Sequence, residues 1–194
     1  MATMHDTYKK KAVPRLMEKF GYKNSMAAPR LEKVVLNSSF GKLASGKTGE
    51  ETTKIGESIA QDMGFIAGQR PVLAKARKSI ATFKLRQGTP IGVKVTLRGR
   101  KMYDFLDRFI HVVLPRSRDF RGLKSSSIDS QGNLTVGITE HLFFPEISPE
   151  QSKIPFGLEV TVSSTAGTKE EGLELFYQLG FPFISENHGK EITD

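Results

Sequence analysis

The chain has 194 residues and carries 29 lysines and arginines against 21 acidic residues, which gives a formal net charge of +8. It contains no cysteine, so disulfides, thiol catalysis and cysteine-based zinc sites are excluded. No apolar stretch approaches the roughly 18 residues that cross a bilayer, and no apolar segment follows the basic N-terminus, so neither a membrane span nor a secretory signal is expected.

The first half of the chain predicts helix, strand, helix and a short strand. The first helix runs from an Asp6 N-cap to about Phe20, with Pro14 placed to shift its start or kink it and Gly21 as its stop. The strand RLEKVVLNSS follows, with Glu32, Val34 and Leu36 on one face and Lys33, Val35 and Asn37 on the other. After a loop over residues 41–50, apolar residues at helical spacing predict the second helix, and Pro71 to Ala74 form the short strand.

The second half begins with a basic loop and the strand IGVKVTLRG, in which Lys94, Thr96 and Arg98 share the polar face. KMYDFLDRFIHVVLP reads as an amphipathic helix that ends at Pro115. NLTVGI, EHLFF and GLEVTVSS read as strands. Thr168 and Glu171 form a capping box for a last helix that ends at Gly180.

Strands that alternate in polarity indicate a sheet with one buried face and one open face, which is typical of antiparallel sheets. Helices with a single apolar stripe are suited to covering the buried face. We therefore predict an α+β fold in which an antiparallel sheet has helices packed on one face and an open face for ligands. We expect a single domain over residues 1–183 and a C-terminal tail over 184–194, since no repeat or linker divides the chain.

The positive charge is concentrated in residues 63–103, which contain ten lysines and arginines and no acidic residue. Solvated surfaces usually mix both signs, so this block indicates a polyanion site, with a merely solvated surface as the alternative. Its loop carries Lys75, Arg77, Lys78, Lys84 and Arg86 at spacings suited to a run of phosphates. Two roles are open for Phe83 in that loop: it could stack on a base, or it could be buried at the root of the loop.

The segment GKLASGKT, Gly41 to Thr48, fits the phosphate-binding pattern G-x-x-x-x-G-K-[ST]. A P-loop follows a strand buried in a parallel sheet, however, and needs a second carboxylate for Mg²⁺. The preceding strand carries Lys33 and Asn37, and no apolar strand ends in Asp.

The four histidines are scattered and form no metal-binding pattern. We therefore predict neither catalysis nor a bound metal or cofactor, and keep a P-loop phosphotransferase as the rival hypothesis.

Several long motifs occur in the order of one ribosomal family: HDTYKKKAVPRLMEKFGY, PRLEKVVLN, GQRPVLAKARKSIATFKLRQGTPIGVKVTLRG, PRSRDFRGL, FPEI and GFPF. In these motifs the chain resembles the bacterial-type 5S-rRNA-binding proteins of the large ribosomal subunit, protein five by the usual count. The resemblance covers about residues 5–183. Two departures are the loop 41–50, which is a few residues longer than is usual, and the tail beyond the closing FPF.

The resemblance implies a structural, cytoplasmic ribosomal protein with no enzymatic activity. By position in the family's motifs, the residues expected to contact 5S rRNA are Asn37, Gln69 and Thr96, with Lys33, Lys94 and Arg98 on the same face. The loop with Lys75, Arg77, Lys78, Lys84 and Arg86 is similar to the one that reaches P-site tRNA. Other implied partners are large-subunit rRNA, other 5S-associated ribosomal proteins and, through residues 116–146, a small-subunit head protein. A nucleic-acid chaperone outside the ribosome is the second rival hypothesis.

Overall fold

The structure, a computed structural model, describes residues 3–44, 46–47, 49–118, 120–150, 152 and 154–184. Within these ranges five strands form one sheet in the order β2-β3-β1-β5-β4, and every neighbouring pair is antiparallel. The strands are β1 Leu31–Ser39, β2 Val72–Lys75, β3 Pro90–Leu97, β4 Leu134–Ile138 and β5 Leu158–Ser164.

The helices are α1 Met4–Thr7, α2 Val13–Phe20, α3 Gly41–Ala44, α4 Gly49–Ala67, α5 Gly99–Arg108, α6 Leu114–Arg116 and α7 Lys169–Gln178. Buried side chains of α1, α2, α4, α5, α6 and α7 meet those of the sheet in one continuous cluster. On the sheet side that cluster includes Val34, Leu36 and Val160, which have no exposed surface. The predicted α+β fold is confirmed, because the strands bury alternate residues against helices and leave the other residues open.

Two helical runs contain a π-helical segment just before a proline. Tyr8–Ala12 precedes Pro14 in α2, and Phe109–Val113 precedes Pro115 in α6. A proline has no N–H, and its ring clashes with the carbonyl four residues earlier in a regular helix. The wider π turn relieves that clash. Both runs therefore continue past their prolines, and the second ends at Arg116 rather than at Pro115.

Three local expectations are corrected. Thr3 is the N-cap of α1, and Asp6 is the residue that completes its capping box. EHLFF is a 3₁₀ turn, His141–Phe143, instead of a strand; Phe143 and Phe144 are consecutive and both buried, which strand alternation does not allow. Glu32 is exposed although it precedes Val34 by two residues, because a bulge between Leu31 and Lys33 shifts the pairing with β5.

Helix α7 lies directly against the turn before β4. A Cβ placed on Gly172 would lie 2.5 Å from the Cα of Gly132 and 2.7 Å from its carbonyl oxygen. Gly132 itself has a φ of +74°, in the left-handed region that favours glycine. The Ser164 hydroxyl donates to the Gly132 carbonyl at 2.7 Å, which ties the turn to the end of β5. This contact sets how closely α7 approaches the sheet.

We expect Gly172→Ala to lower the free energy of unfolding by about 1–3 kcal/mol, because the added methyl meets backbone that has no rotamer with which to move away. Chemical denaturation monitored by circular dichroism measures the change. Gly64→Ala in α4 is the matched control: its Cβ would meet only Pro71 Cδ at 3.5 Å and the Gln69 carbonyl oxygen at 3.9 Å, and alanine is favoured over glycine inside a helix by about 0.5–1 kcal/mol. Equal stability of Gly172→Ala and the wild type would contradict the close contact.

Candidate nucleic-acid interface

The open face of the sheet carries polar side chains in rows that cross the strands. Asn37 on β1 is opposite Lys94 on β3 and Glu159 on β5. The next row places Thr96 beside Val35, with Thr161 and Thr135 beyond. Directly opposed side chains in antiparallel strands have Cβ atoms about 5 Å apart. The register therefore turns residues that are distant in sequence into one continuous surface of amide, hydroxyl and charged groups.

Gln69 reaches this surface from the end of α4 rather than from a strand. Its Nε2 donates to the backbone carbonyl of Thr96 at 3.2 Å, which holds the side chain beside β3. A shallow depression of about 340 Å³ forms there, lined in part by Gln69, Lys94, Thr96 and also Arg70. Four residues separated by up to 27 positions thus meet at one edge of the open face.

Sequence reasoning missed several members of the surface. Arg70 adjoins Gln69 and adds a cation to the depression. Thr135, Glu159 and Thr161 occupy the outward positions of β4 and β5, and the polar alternation in GLEVTVSS was the available signal. Glu159 accepts a hydrogen bond from Thr161 at 3.4 Å and introduces a negative charge beside Asn37.

The predicted cations differ in their surroundings. Lys94 and Arg98 are exposed and Lys33 is half-buried. Arg98 lies just past the end of β3, where its Nη1 is 3.4 Å from Glu32 Oε1. Both partners are largely exposed, so this ion pair stabilises the fold little and leaves the guanidinium accessible to a phosphate.

The basic loop between β2 and β3 continues the hairpin. Ala76 N–H donates to the Thr89 carbonyl at 2.8 Å, and Ile80 and Leu85 exchange hydrogen bonds of 2.9 and 3.1 Å. A 3₁₀ turn, Ala81–Phe83, closes the tip. Lys84 follows with a φ of +50°, a conformation that non-glycine residues rarely adopt. The loop is thus a hydrogen-bonded hairpin that continues past the ends of β2 and β3.

All five predicted cations of the loop are exposed: Lys75, Arg77, Lys78, Lys84 and Arg86. Among the described residues, none of them forms an ion pair with a carboxylate. Phe83 retains 64% of its surface exposed at the tip, so its predicted alternative, burial at the root of the loop, is wrong. The loop presents a cationic surface with one exposed aromatic ring, which is a combination suited to nucleic acid.

The P-loop-like segment does not have the geometry of a nucleotide-binding loop. It follows β1, which lies at the centre of the antiparallel sheet with β3 and β5 on its two sides. Gly41–Ala44 forms a short helix, whereas a P-loop wraps its backbone N–H groups around phosphates between a parallel strand and a helix. Ser45 and Thr48 lie outside the described residues. The backbone therefore gives no support to the phosphotransferase hypothesis.

One Ser/His/Asp group does come together, between α4 and the segment after β4. Phe156 N–H donates to His141 Nδ1 at 3.3 Å, so the ring proton lies on Nε2. Nε2 is 2.7 Å from Ser152 Oγ, and Ser152 donates to Asp62 Oδ2 at 3.1 Å. His141 thus donates to the serine instead of accepting its proton, which is the reverse of what a nucleophilic serine requires. The group is a structural link.

Two further findings concern metal binding and membrane insertion. Within the described part of the chain, no group of three or more histidine or acidic residues is placed to hold a metal ion. No helix in that part is both long and apolar enough to span a membrane.

Comparison with known proteins identifies the family. Residues 24–86 match the family model described as ribosomal protein L5, and residues 90–183 match the model for the C-terminus of the same ribosomal family. The large ribosomal subunit protein uL5 of Desulforapulum autotrophicum is 49% identical over 183 residues, which cover 94% of this chain and 99% of the relative. The uL5 proteins of Carboxydothermus hydrogenoformans and Halothermothrix orenii are 48% and 46% identical, with the same coverage.

The open polar sheet face beside a cationic hairpin defines an α+β protein that binds nucleic acid. The family models and the curated relatives identify the family within this class: the chain belongs to the ribosomal protein L5 family. It is a structural, rRNA-binding constituent of the large ribosomal subunit, acts in translation in the cytoplasm as part of the ribosome, and is not an enzyme.

The burial of His141 leads to a prediction about how the stability of the fold depends on pH. Burial lowers the pKa of His141 below its usual value of 6.5, against the opposing effect of the Asp62 carboxylate. Because the unfolded chain takes up the proton first, this residue's contribution to stability is present above pH 6.5 and is lost as the pH falls through the folded-state pKa. We expect His141→Gln to be less stable than the wild type by about 1–2 kcal/mol at neutral pH, and the difference to shrink toward pH 5.

Urea denaturation at a series of pH values measures the difference in unfolding free energy. His111→Gln is the control, since His111 is exposed and its Nε2 lies 3.4 Å from Asp107 Oδ1, one turn earlier in the same helical run; we expect a change below about 0.5 kcal/mol. A constant gap between wild type and His141→Gln from pH 7 to pH 5 would show that His141 titrates alike in the folded and unfolded states.

Proposed function

We propose that the open sheet face binds 5S rRNA. The contacting residues are Lys33, Asn37, Gln69, Lys94, Thr96 and Arg98. The observation that carries the proposal is the placement of Asn37 directly opposite Lys94, next to the pair formed by Gln69 and Thr96. Membership in a ribosomal family and the family resemblance of these positions support the choice of RNA.

The open face carries both neutral hydrogen-bonding groups and cations, a combination that suits RNA. Neutral amides and hydroxyls occupy its middle, where they are able to hydrogen-bond base edges and 2′-hydroxyl groups. The cations Lys33, Lys94 and Arg98 lie around them and are suited to phosphates, which position the RNA without reading its sequence. Glu159 would reject a phosphate placed directly beside Asn37, and so favours a base or a sugar at that point.

Asn37→Ala and Gln69→Ala are each expected to weaken 5S rRNA binding by about tenfold, because each removes polar contacts to the RNA. The measurement is a filter-binding titration near 0.15 M salt, with a structured RNA of matched length as competitor. Gln131→Ala is the control: Gln131 is an exposed amide on the turn before β4, and the next residue, Gly132, packs against Gly172 of α7.

A preference for 5S rRNA that falls in the two face variants and persists in the control supports recognition by the sheet. Equal affinity of the wild type for both RNAs would instead favour the nucleic-acid chaperone, since binding would then be electrostatic and independent of sequence.

The basic loop is proposed to contact P-site tRNA through Lys75, Arg77, Lys78, Lys84 and Arg86. Support comes from its form, a hydrogen-bonded hairpin that continues past the ends of β2 and β3, and from the exposure of all five cations. A hairpin carrying charges of one sign reaches a phosphate backbone without bringing the sheet close to it.

We expect ribosomes that carry the Arg77→Ala, Lys78→Ala double variant to bind P-site tRNA more weakly. The slope of log K against log salt should fall in magnitude by about 1.8, from two lost contacts at about 0.9 each. Isolated double-variant protein should keep its 5S rRNA affinity. Ribosomes carrying Lys9→Ala, Lys10→Ala serve as the charge-matched control, since these lysines are exposed near the N-terminus. An unchanged salt slope would remove these two side chains from the tRNA contact.

We also propose that residues 116–146 take part in an inter-subunit bridge to a protein of the small-subunit head. The segment begins with Arg116, Arg118 and Arg121, all exposed. Asp119, the acidic residue next to Arg118 in the sequence, lies outside the described residues. Large-subunit rRNA and other 5S-associated ribosomal proteins complete the proposed partners.

Residues 1–183 are proposed to form a single domain, with 184–194 as a tail. The proposal is supported by one buried cluster that runs from Met4 to Phe181 and includes residues from α4, α5, α7 and four strands.

A further inference from the structure

A cleft of about 860 Å³ lies between the segment after β1 and the basic loop. One wall contains Lys42 and Lys47 of the P-loop-like segment, and the other contains Phe83, Lys84 and Arg86 of the basic loop. These two stretches are about 40 residues apart in sequence and meet only because β1 and β3 pair side by side. No acidic residue is among the described residues that line the cleft.

The lining has two kinds of surface. Leu85, Ile91 and the exposed ring of Phe83 are apolar, whereas the four cations are exposed and surround them. An aromatic ring beside cations is the arrangement by which proteins hold unpaired nucleic acid, with bases stacked on the ring and phosphates on the cations. Gly49, the first residue of the long helix α4, also lines the cleft.

Position favours a strand of RNA over a free nucleotide. At one end Ser39 lines the cleft, and Ser39 follows Asn37 on the open side of β1. At the other end the cations continue along the basic loop through Lys75, Arg77 and Lys78. The charged track is therefore longer than the cleft, and a phosphodiester chain is the ligand that extends along such a track.

We propose that this cleft binds an unpaired RNA segment, with phosphates held by Lys42, Lys47, Lys84 and Arg86 and one base stacked on Phe83. The inference deepens the proposed function and rests on it in taking RNA as the ligand. It gives the lengthened loop 41–50 a role: Lys42, Gly46 and Lys47 of this loop line one wall of the cleft. The resemblance of the loop to a P-loop then reflects cations at a phosphate site without the nucleotide-binding backbone.

The test uses the full chain and a fluorescently labelled oligouridylate of about eight nucleotides, within the site sizes of single-strand binders. Lys42→Ala, Lys47→Ala is expected to weaken binding about tenfold at low salt and to reduce the magnitude of the salt slope by about 1.4, at about 0.7 for each phosphate contact on a single strand. Lys9→Ala, Lys10→Ala carries the same change in net charge outside the cleft and is expected to have a much smaller effect.

Phe83→Leu tests the stacked base separately. It should weaken binding of the oligouridylate about tenfold, while leaving the affinity for an abasic oligomer of the same length unchanged. Thermal unfolding of every variant checks the fold, which these exposed positions should not disturb. Equal losses in the two lysine pairs, or equal effects of Phe83→Leu on both oligomers, would overturn the proposal.

Two additional arms separate the alternatives. Displacement of the oligomer by stoichiometric GTP or inorganic tripolyphosphate would overturn the RNA assignment in favour of a small polyphosphate. Titrating 5S rRNA against the same variants separates this inference from the proposed function. If the wild type shows no preference for 5S rRNA, the sheet-face proposal is contradicted. If the Lys42→Ala, Lys47→Ala variant binds the oligomer as tightly as the wild type, only the cleft proposal is contradicted.

Discussion

The structure depends on the alternation of side chains along β1. This strand is hydrogen-bonded to β3 on one side and to β5 on the other, so its register fixes the position of both. Leu36 is fully buried and Asn37, the next residue, is exposed. A slip of one residue would exchange them, placing an amide in the core and a leucine on the open face. The hydrophobic core and the interface are two consequences of one pairing.

Placing the helices on one side of the sheet gives the protein a second face for function. Because the core forms between the sheet and α4, α5 and α7, the residues on the other face of the sheet are not needed for core packing. Their side chains are therefore available for binding. The ends of the helices then add to that face. Gln69 comes directly after α4 and its turn, and its bond to the Thr96 carbonyl holds an amide that no strand supplies. The interface is thus assembled from both layers of the fold.

Residue identity alone was a poor guide at two places. GKLASGKT has the letters of a nucleotide-binding loop, but it follows an antiparallel central strand and begins with a short helix. Asp62, His141 and Ser152 have the identities of a catalytic triad, but the Phe156 N–H fixes the imidazole tautomer so that it donates to the serine. In both cases the direction of the backbone or of a hydrogen bond decides the chemistry.

The sequence by itself determined the strands that alternate, the amphipathic helices, the polar positions Asn37, Lys94 and Thr96, and the cationic loop, because these are properties of local periodicity and charge. It did not determine the 3₁₀ turn at EHLFF, the bulge that exposes Glu32, or the π-helical turns before Pro14 and Pro115, where local irregularity overrides the pattern. Only the tertiary structure brought Arg70 and Gln69 beside Thr96, and Lys42 and Lys47 across from Phe83. Those contacts follow from strand order and register, which join residues far apart in the chain and leave no periodic signal in the sequence.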